Sequence, residues 1–348
     1  VTGPNHGGAI YTVGTVNVSN STFEGNQTSF GNGGAIRAGT VNVSGSTFKN
    51  NHAGGGGGAI YAYNIANVSN STFENNQALY FGGAIFTINA NISNSTFIGN
   101  QAVNSSGSGG AINAYITANI SNSTFIGNQA GRYGGAIYAG VTLKASHLTL
   151  LDNSATTNGV AIYYEGSGNA RIDNSLILSS VALVGATALC SGAITGSYNI
   201  EWVHGADTTS CGGVNNISGG SGAIGAIVET TLADNGGPTP TLALPAGSPA
   251  IGAVDPGGAT SQMLVIDFSS TPVTATWEDA TLDQRGVTRA TTAAERSLGA
   301  FEYKAPPPPV NAAPIPVLPM PLALLLALGL AVVGIGFRKR KMTKAGIF

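Results

Sequence analysis

Gly57-Gly58-Ala59-Ile60, then Ala66-Asn67-Val68, then Ser71-Thr72-Phe73 and finally Asn76 occur within one short run, and this order decides the fold because it returns. Gly-Gly-Ala-Ile recurs with its Ile at Ile10, Ile36, Ile60, Ile85, Ile112 and Ile137, and a weakened copy ends at Ile162. Successive copies are 26, 24, 25, 27, 25 and 25 residues apart, which makes seven coils visible. Val16-Asn17-Val18, Val41-Asn42-Val43, Ala66-Asn67-Val68, Ala90-Asn91-Ile92 and Ala118-Asn119-Ile120 alternate with period two, the mark of a strand with one buried face. After a turn at Asn20, Gly45, Asn70, Asn94 or Asn122 comes Ser-Thr-Phe, whose buried member is expected to be Phe23, Phe48, Phe73, Phe97 or Phe125.

Three short strands per coil, always in the same order and direction, stack in parallel more readily than they form hairpins. Each position then pairs with its equivalent roughly 4.8 Å above and below, so Ile stacks on Ile and Phe on Phe. The glycines before Ala-Ile suit a corner with unusual backbone angles. A ladder of amides is predicted at Asn26, Asn51, Asn76, Asn100 and Asn128, three residues after each Phe, and at Asn153 in the coil where Leu148 is taken as the Phe equivalent. Stacked amides bond to one another and to turn carbonyls, which offsets their burial. The expected fold class is all-β: a right-handed parallel β-helix over residues 1–180, with an irregular β cap and one transmembrane helix toward the C-terminus.

Composition narrows the function. The 51 glycines and 9% charged residues are unusual, yet 43% hydrophobic content is too high for a disordered linker. Five of the 14 basic residues lie in the last eleven positions, leaving nine basic against 16 acidic upstream, a balance of −7 that argues against nucleic acid as a partner. Parallel β-helices also carry pectate lyases and polygalacturonases, whose chemistry needs clustered carboxylates. Residues 1–150 contain only Glu24 and Glu74 as acids, with Lys49 at the stack position between them. Asp152, Glu165 and Asp173 come nearest to a cluster. No catalytic residue, cofactor or metal ligand set is therefore expected, and His6, His52, His147 and His204 are scattered. Tyr11, Tyr61, Phe86 and Tyr138, with Arg37 and Asn113 in the same register, form an outward stripe that suits glycans or a protein partner, or simple cross-coil stacking.

The alternation of Gly-Gly-Ala-Ile with Phe-x-x-Asn over residues 7–165 resembles the repeat of the polymorphic outer membrane proteins. That resemblance implies an adhesin-like passenger at a bacterial surface. Family members end in a membrane β-barrel, whereas Phe348 here follows a basic cluster and no series of alternating strands. Residues 181–303 carry Leu232-Ala233-Asp234-Asn235-Gly236-Gly237-Pro238-Thr239-Pro240-Thr241, then Asp283-Gln284-Arg285-Gly286, then Gly299-Ala300-Phe301-Glu302, and are similar to the choice-of-anchor Q module. A solenoid also needs an atypical unit to blunt its last strands, and this segment is the expected cap. Cys190 and Cys211 fall within it and suit a disulfide in an exported chain, two buried free thiols being the other reading.

The tail divides into a Pro-rich linker at 304–319, an apolar span at 320–337 and a basic end at 338–348. The span has 18 residues, the lower limit for a transmembrane helix, and Arg338, Lys339, Arg340 and Lys341 follow as a stop-transfer cluster expected to stay cytoplasmic before any processing. Ile315-Pro316-Val317-Leu318 resembles the opening of the IPTL-class sorting signals, which implies a processing protease of the exosortase type. The chain starts at Val1 without a leader, so its export signal is expected to lie upstream or to have been removed. Together these features point to a non-enzymatic, exported, membrane-anchored or surface-displayed protein of adhesion or cell-surface structure. A polysaccharide-binding or polysaccharide-degrading enzyme on the same fold is the alternative.

Overall fold

The computed structural model describes residues 2–3, 6–183, 188–204, 211–212, 217–218, 223–253, 262–267, 269–270, 273–279, 281–290 and 295–303. They form a parallel β-solenoid whose coils build three sheets, of 12, nine and seven strands, the last of these ending at Ser154–Ala155. The linker, the sorting motif at Ile315–Leu318, the apolar span and the basic cluster lie outside the described residues. Among those described, the only helical piece is the short turn Ile224–Ala226, and no helix is long and apolar enough to cross a membrane.

Parallel register follows the repeat. Ile10, Ile36, Ile60, Ile85, Ile112, Ile137 and Ile162 pair in turn, and Cys190 continues the row. The strands are divided differently from the expectation, however. The Ile and Asn elements are fused into single strands at Ile36–Ser44, Ile60–Ser69, Ile85–Ser93 and Ile112–Ser121, each absorbing the change of direction at a register shift. The third sheet comes instead from two-residue strands such as His52–Ala53, Gln77–Ala78 and Gln101–Ala102, directly after the amide ladder. Phe125 pairs with Leu150 and not with Leu148, which is also buried but sits two residues earlier, level with Ser123. Parallel stacking also runs past residue 180, through Cys190–Ser191, Ile194–Ser197 and Ile200–Val203 to Ile217–Ser218.

The two glycines before Ala-Ile have separate causes. Gly33 sits at φ +72, open to glycine without strain, while a Cβ on Gly34 would lie 2.1 Å from the carbonyl oxygen of Gly58 in the next coil. Coils therefore approach closely at this corner. Inside, Phe23, Phe48, Phe73, Phe97 and Phe125 stack with centroids 4.8–4.9 Å apart and planes within 3–6°. Phe48 through Phe125 are fully buried, each burial contributing about 2–3 kcal/mol.

The amide ladder closes without a loose end at its interior rungs. Asn76 donates from Nδ2 to Asn100 Oδ1 and to the Phe48 carbonyl, both at 2.9 Å. Its own Oδ1 accepts from the backbone N–H of Asn51 at 3.0 Å and from Asn51 Nδ2 at 2.9 Å. Both donors and both lone pairs are used.

The described residues of 227–253 and 295–303 build a second core against the outside of the Phe strands. The outward position there reads Glu24, Lys49, Glu74 and then Ile98, Ile126, Leu151, Leu178 and Trp202, because the later coils are covered. Leu151, Leu178 and Trp202 pack with Val228, Leu242, Leu298 and Phe301. Gln284 pins the contact: its Oε1 accepts from Thr124 Oγ1 at 2.7 Å and its Nε2 donates to Thr96 Oγ1 at 2.8 Å. These contacts run along a flank of the stack. The antiparallel pair Gln262–Asp267 and Thr274–Asp279 lies over the Ile sheet, where the Leu264 N–H donates to Ser146 Oγ at 2.7 Å.

Candidate functional site

The outer face of the Ile sheet remains accessible over the first three coils and divides into an aromatic half and a polar half. In the aromatic half, Tyr11, Arg37 and Tyr61 occupy one ladder position on successive coils. The third coil has an extra residue between its Ile and Asn elements: Ile60 to Asn67 spans seven positions, where Ile36 to Asn42 spans six. The resulting bulge swings Tyr63 beside Tyr61, with ring centroids 5.2 Å apart in edge contact. The Arg37 guanidinium carbon lies 5.4, 5.6 and 4.7 Å from the Tyr11, Tyr61 and Tyr63 centroids. A cation held by three rings and no carboxylate stiffens the aromatic shelf. Phe86 stacks on Tyr61 at 4.9 Å, and Phe81 extends the patch.

The expected stripe is not continuous. Asn113 is buried at 3% exposure and donates from Nδ2 to the Ser108 carbonyl at 3.1 Å, so it separates Tyr11, Tyr61 and Phe86 from Tyr138. Of the stripe, only Tyr11 is more than half exposed, at 55%. Tyr138 belongs to a second cluster with Tyr163 and Tyr133 and donates its hydroxyl to Glu165. Burial, and then the Glu165 carboxylate, push its phenol well above the usual tyrosine range.

The polar half is a cleft of about 530 Å³ along the strands Thr15–Ser19, Ile36–Ser44 and Ile60–Ser69. Its floor has three outward rows on adjacent rungs: Thr15, Thr40 and Ile65; Asn17, Asn42 and Asn67; and Ser19, Ser44 and Ser69. Ser270 and Val273, from beside the antiparallel pair, form its wall. Asn42 Nδ2 donates to Asn17 Oδ1 at 2.7 Å and Asn67 Nδ2 to Asn42 Oδ1 at 2.8 Å, leaving the second N–H and the second lone pair of Asn42 for a visitor. Nine of the 13 lining residues carry a hydroxyl or an amide and none is charged, so the cleft suits an uncharged polar ligand.

The remaining sequence candidates are dispersed. Asp152 accepts from the Ser180 N–H at 2.6 Å and from Ser180 Oγ at 2.8 Å. Asp173 accepts from Arg171 at 2.5 Å and from the Ser197 N–H at 2.8 Å, its burial raising its carboxyl more than Arg171 lowers it. Glu165 serves Tyr138, so the three acids have separate neighbours. Glu74 pairs with Lys49 at 3.0 Å, and Glu24 neighbours Lys49 from the other side. Among the described residues no three His, Cys, Asp or Glu side chains converge as metal ligands. Cys190 and Cys211 are joined by a disulfide, with Cα atoms 4.8 Å apart.

The three C-terminal motifs do converge. Asp283 accepts from the N–H groups of Arg285, Val287 and Glu302, at 2.9, 2.9 and 3.0 Å. Gln284 also donates to Thr239 Oγ1 at 2.7 Å, and Arg289 pairs with Glu302 at 3.1 Å with both side chains buried. The polar cleft escaped sequence reading, although its amide row and the seven-against-six spacing were both in view. Its wall depends on residues about 200 positions away, which no local pattern places.

Residues 45–63, 70–88 and 122–140 match the Chlamydia polymorphic membrane protein repeat. Each stretch runs from the turn before Ser-Thr-Phe through the amide rung into the next Gly-Gly-Ala-Ile, so the match coincides with one structural coil boundary. No curated protein and no solved structure matches the chain.

Proposed function

We propose that this chain is a non-enzymatic binding solenoid displayed at a bacterial surface, in adhesion or cell-surface structure. The observation that carries the reading is the open outer face of the first three coils, where an aromatic shelf and an uncharged polar cleft lie side by side on repeats similar to those of a surface membrane protein family. Adhesion needs a large, rigid, accessible face and no reactive group. Asp152, Glu165 and Asp173 each bond to separate neighbours, an arrangement that suits binding better than acid and base work.

Display is proposed through the tail. In this reading the segment at 320–337 anchors the chain, Arg338–Lys341 hold its end on the cytoplasmic side, and the motif at Ile315–Leu318 submits it to an exosortase-type protease after the choice-of-anchor-like module. Glycans or neighbouring cell-surface proteins are the proposed partners. The test is release of reducing or unsaturated uronide ends from polysaccharides by the purified full chain. No product above a heat-treated control is expected, and turnover would assign the fold to the polysaccharide-degrading alternative. Mass spectrometry of surface material examines the tail: a C-terminus near Pro316 is expected, and intact Phe348 on surface protein would leave a plain anchor.

A further inference from the structure

We infer that the cleft over the first three coils is a subsite for a neutral, linear polysaccharide, lying across the rungs of Asn17, Asn42 and Asn67 with its rings reaching the shelf of Tyr63. This names the ligand class of the adhesive face and rests on the binding reading proposed above.

Three observations carry it. First, the lining has hydroxyls and amides but no charge, so a charged polymer would find no counter-ion there while sugar hydroxyls find both donors and acceptors. Second, the partners repeat. Each rung presents the same Thr, Asn and Ser positions, apart from Ile65, at the strand spacing of roughly 4.8 Å, and three rungs offer a periodic polymer about 10 Å of matched floor. Third, sugar rings are amphipathic, with C–H faces and hydroxyl rims. Tyr63, two residues before the cleft-lining Ile65, is held by Arg37 at 4.7 Å and by Tyr61 at 5.2 Å, so a flat apolar surface stands where the polar floor begins.

A peptide fits the same place less well. Extended peptides bind by adding to a sheet edge, and here the strands Ile36–Ser44 and Ile60–Ser69 are paired on both sides by neighbouring coils. The accessible surface over these two strands is a sheet face, which offers side chains, and only the outer edge of Thr15–Ser19 leaves backbone groups unpaired in the described sheet.

The experiment is affinity electrophoresis of the full chain through gels holding hydroxyethyl cellulose, arabinoxylan or dextran, with carboxymethyl cellulose as the charged comparison. Retardation by at least one neutral polymer is expected, relieved by its own soluble hexasaccharide. Ser44→Tyr, which fills the cleft from an exposed position, should weaken retention at least tenfold with an unchanged circular dichroism spectrum. Thr22→Tyr, at an exposed position on the Phe strands, should leave retention intact. The inference is overturned if no neutral polymer retards the chain, if only the charged polymer does, or if Ser44→Tyr is retained like the wild type. Reducing ends are counted in the same gels: retention with turnover keeps the subsite and removes the non-enzymatic reading, whereas absence of both removes the subsite alone.

Discussion

Replacing Asn76 by Ala takes one rung from the buried amide ladder, and the structure shows what is left behind. The backbone N–H of Asn51, one N–H of its Nδ2 and the Phe48 carbonyl each lose a partner at 2.9–3.0 Å. Asn100 Oδ1 keeps the backbone N–H of residue 76 at 3.0 Å. Two orphaned N–H groups in a site with no solvent access, at about 1–3 kcal/mol each, give a loss centred on about 4 kcal/mol, the Phe48 carbonyl keeping its ladder partner from the next coil. Asn42→Ala on the outer row removes two bonds of similar length, but solvent in the cleft reaches the partners, so the loss should stay below about 1 kcal/mol. Thermal unfolding followed by circular dichroism should separate the two variants by about 8 °C, at about 2–4 °C per kcal/mol for a domain of this size. Hydrogen exchange should show the damage centred on the coils of Phe48, Phe73 and Phe97. Equal losses in the two variants, or a mild Asn76→Ala, would refute the claim that the inner ladder's satisfaction, and not amide stacking in general, holds the coils together.

His147 is fully buried with neither ring nitrogen hydrogen-bonded, and burial, then Arg289 and Arg296, hold its imidazole well below the ordinary histidine range. The unfolded chain therefore takes up a proton that the folded one refuses. Stability should be complete above about pH 6.5 and fall by up to about 1.4 kcal/mol per pH unit below it. His147→Asn, the residue at the equivalent positive-φ positions 122 and 174, should flatten urea midpoints between pH 6.5 and 5, and an unchanged slope would show that His147 is not the group responsible. Arg289→Ala leaves Glu302 buried without its cation and should cost about 3–5 kcal/mol, seen as faster hydrogen exchange across residues 281–303 while the coils of Phe48 and Phe73 stay protected. Peptide mapping without reductant should recover Cys190 linked to Cys211, and Cys211→Ser should lose about 3 kcal/mol; alkylatable thiols at both positions in native protein would contradict the bond.

What was legible in the sequence was whatever repeats at coil length. Ile, Phe and the inner Asn announce themselves because a parallel stack sets identical environments one above another, so the recurring residue and the buried position coincide. The Gln-Ala strands were missed although they recur at coil length too, because two residues are too few to show the alternation that marks a strand. The flank cover was also missed, although its signal was present: the outward position changes from Glu24, Lys49 and Glu74 to Ile98, Ile126 and Leu151, and an outward apolar ladder demands something to bury it. The aromatic stripe was read as continuous because register alone cannot reveal that Asn113 turns its amide to a carbonyl five residues back. Neither could it reveal that an inserted residue aims Tyr63 at Arg37.

The two amide columns point in opposite directions. Inside, the amide-to-amide bonds from Asn26 to Asn128 run from each Nδ2 to the later coil, while the second N–H from Asn51 onward returns to a Phe carbonyl of the earlier coil. Outside, Asn42, Asn67, Asn91 and Asn119 donate toward the earlier one. The amide-to-amide dipoles of the two columns oppose, and strand carbonyls alternate along the same axis, so the stack lacks the aligned dipoles that an α-helix adds with length. Copying or deleting a coil then leaves the field at either end unchanged. The length of the solenoid becomes a quantity that can be raised or lowered one repeat at a time, each coil adding its own balanced pair of amide rungs.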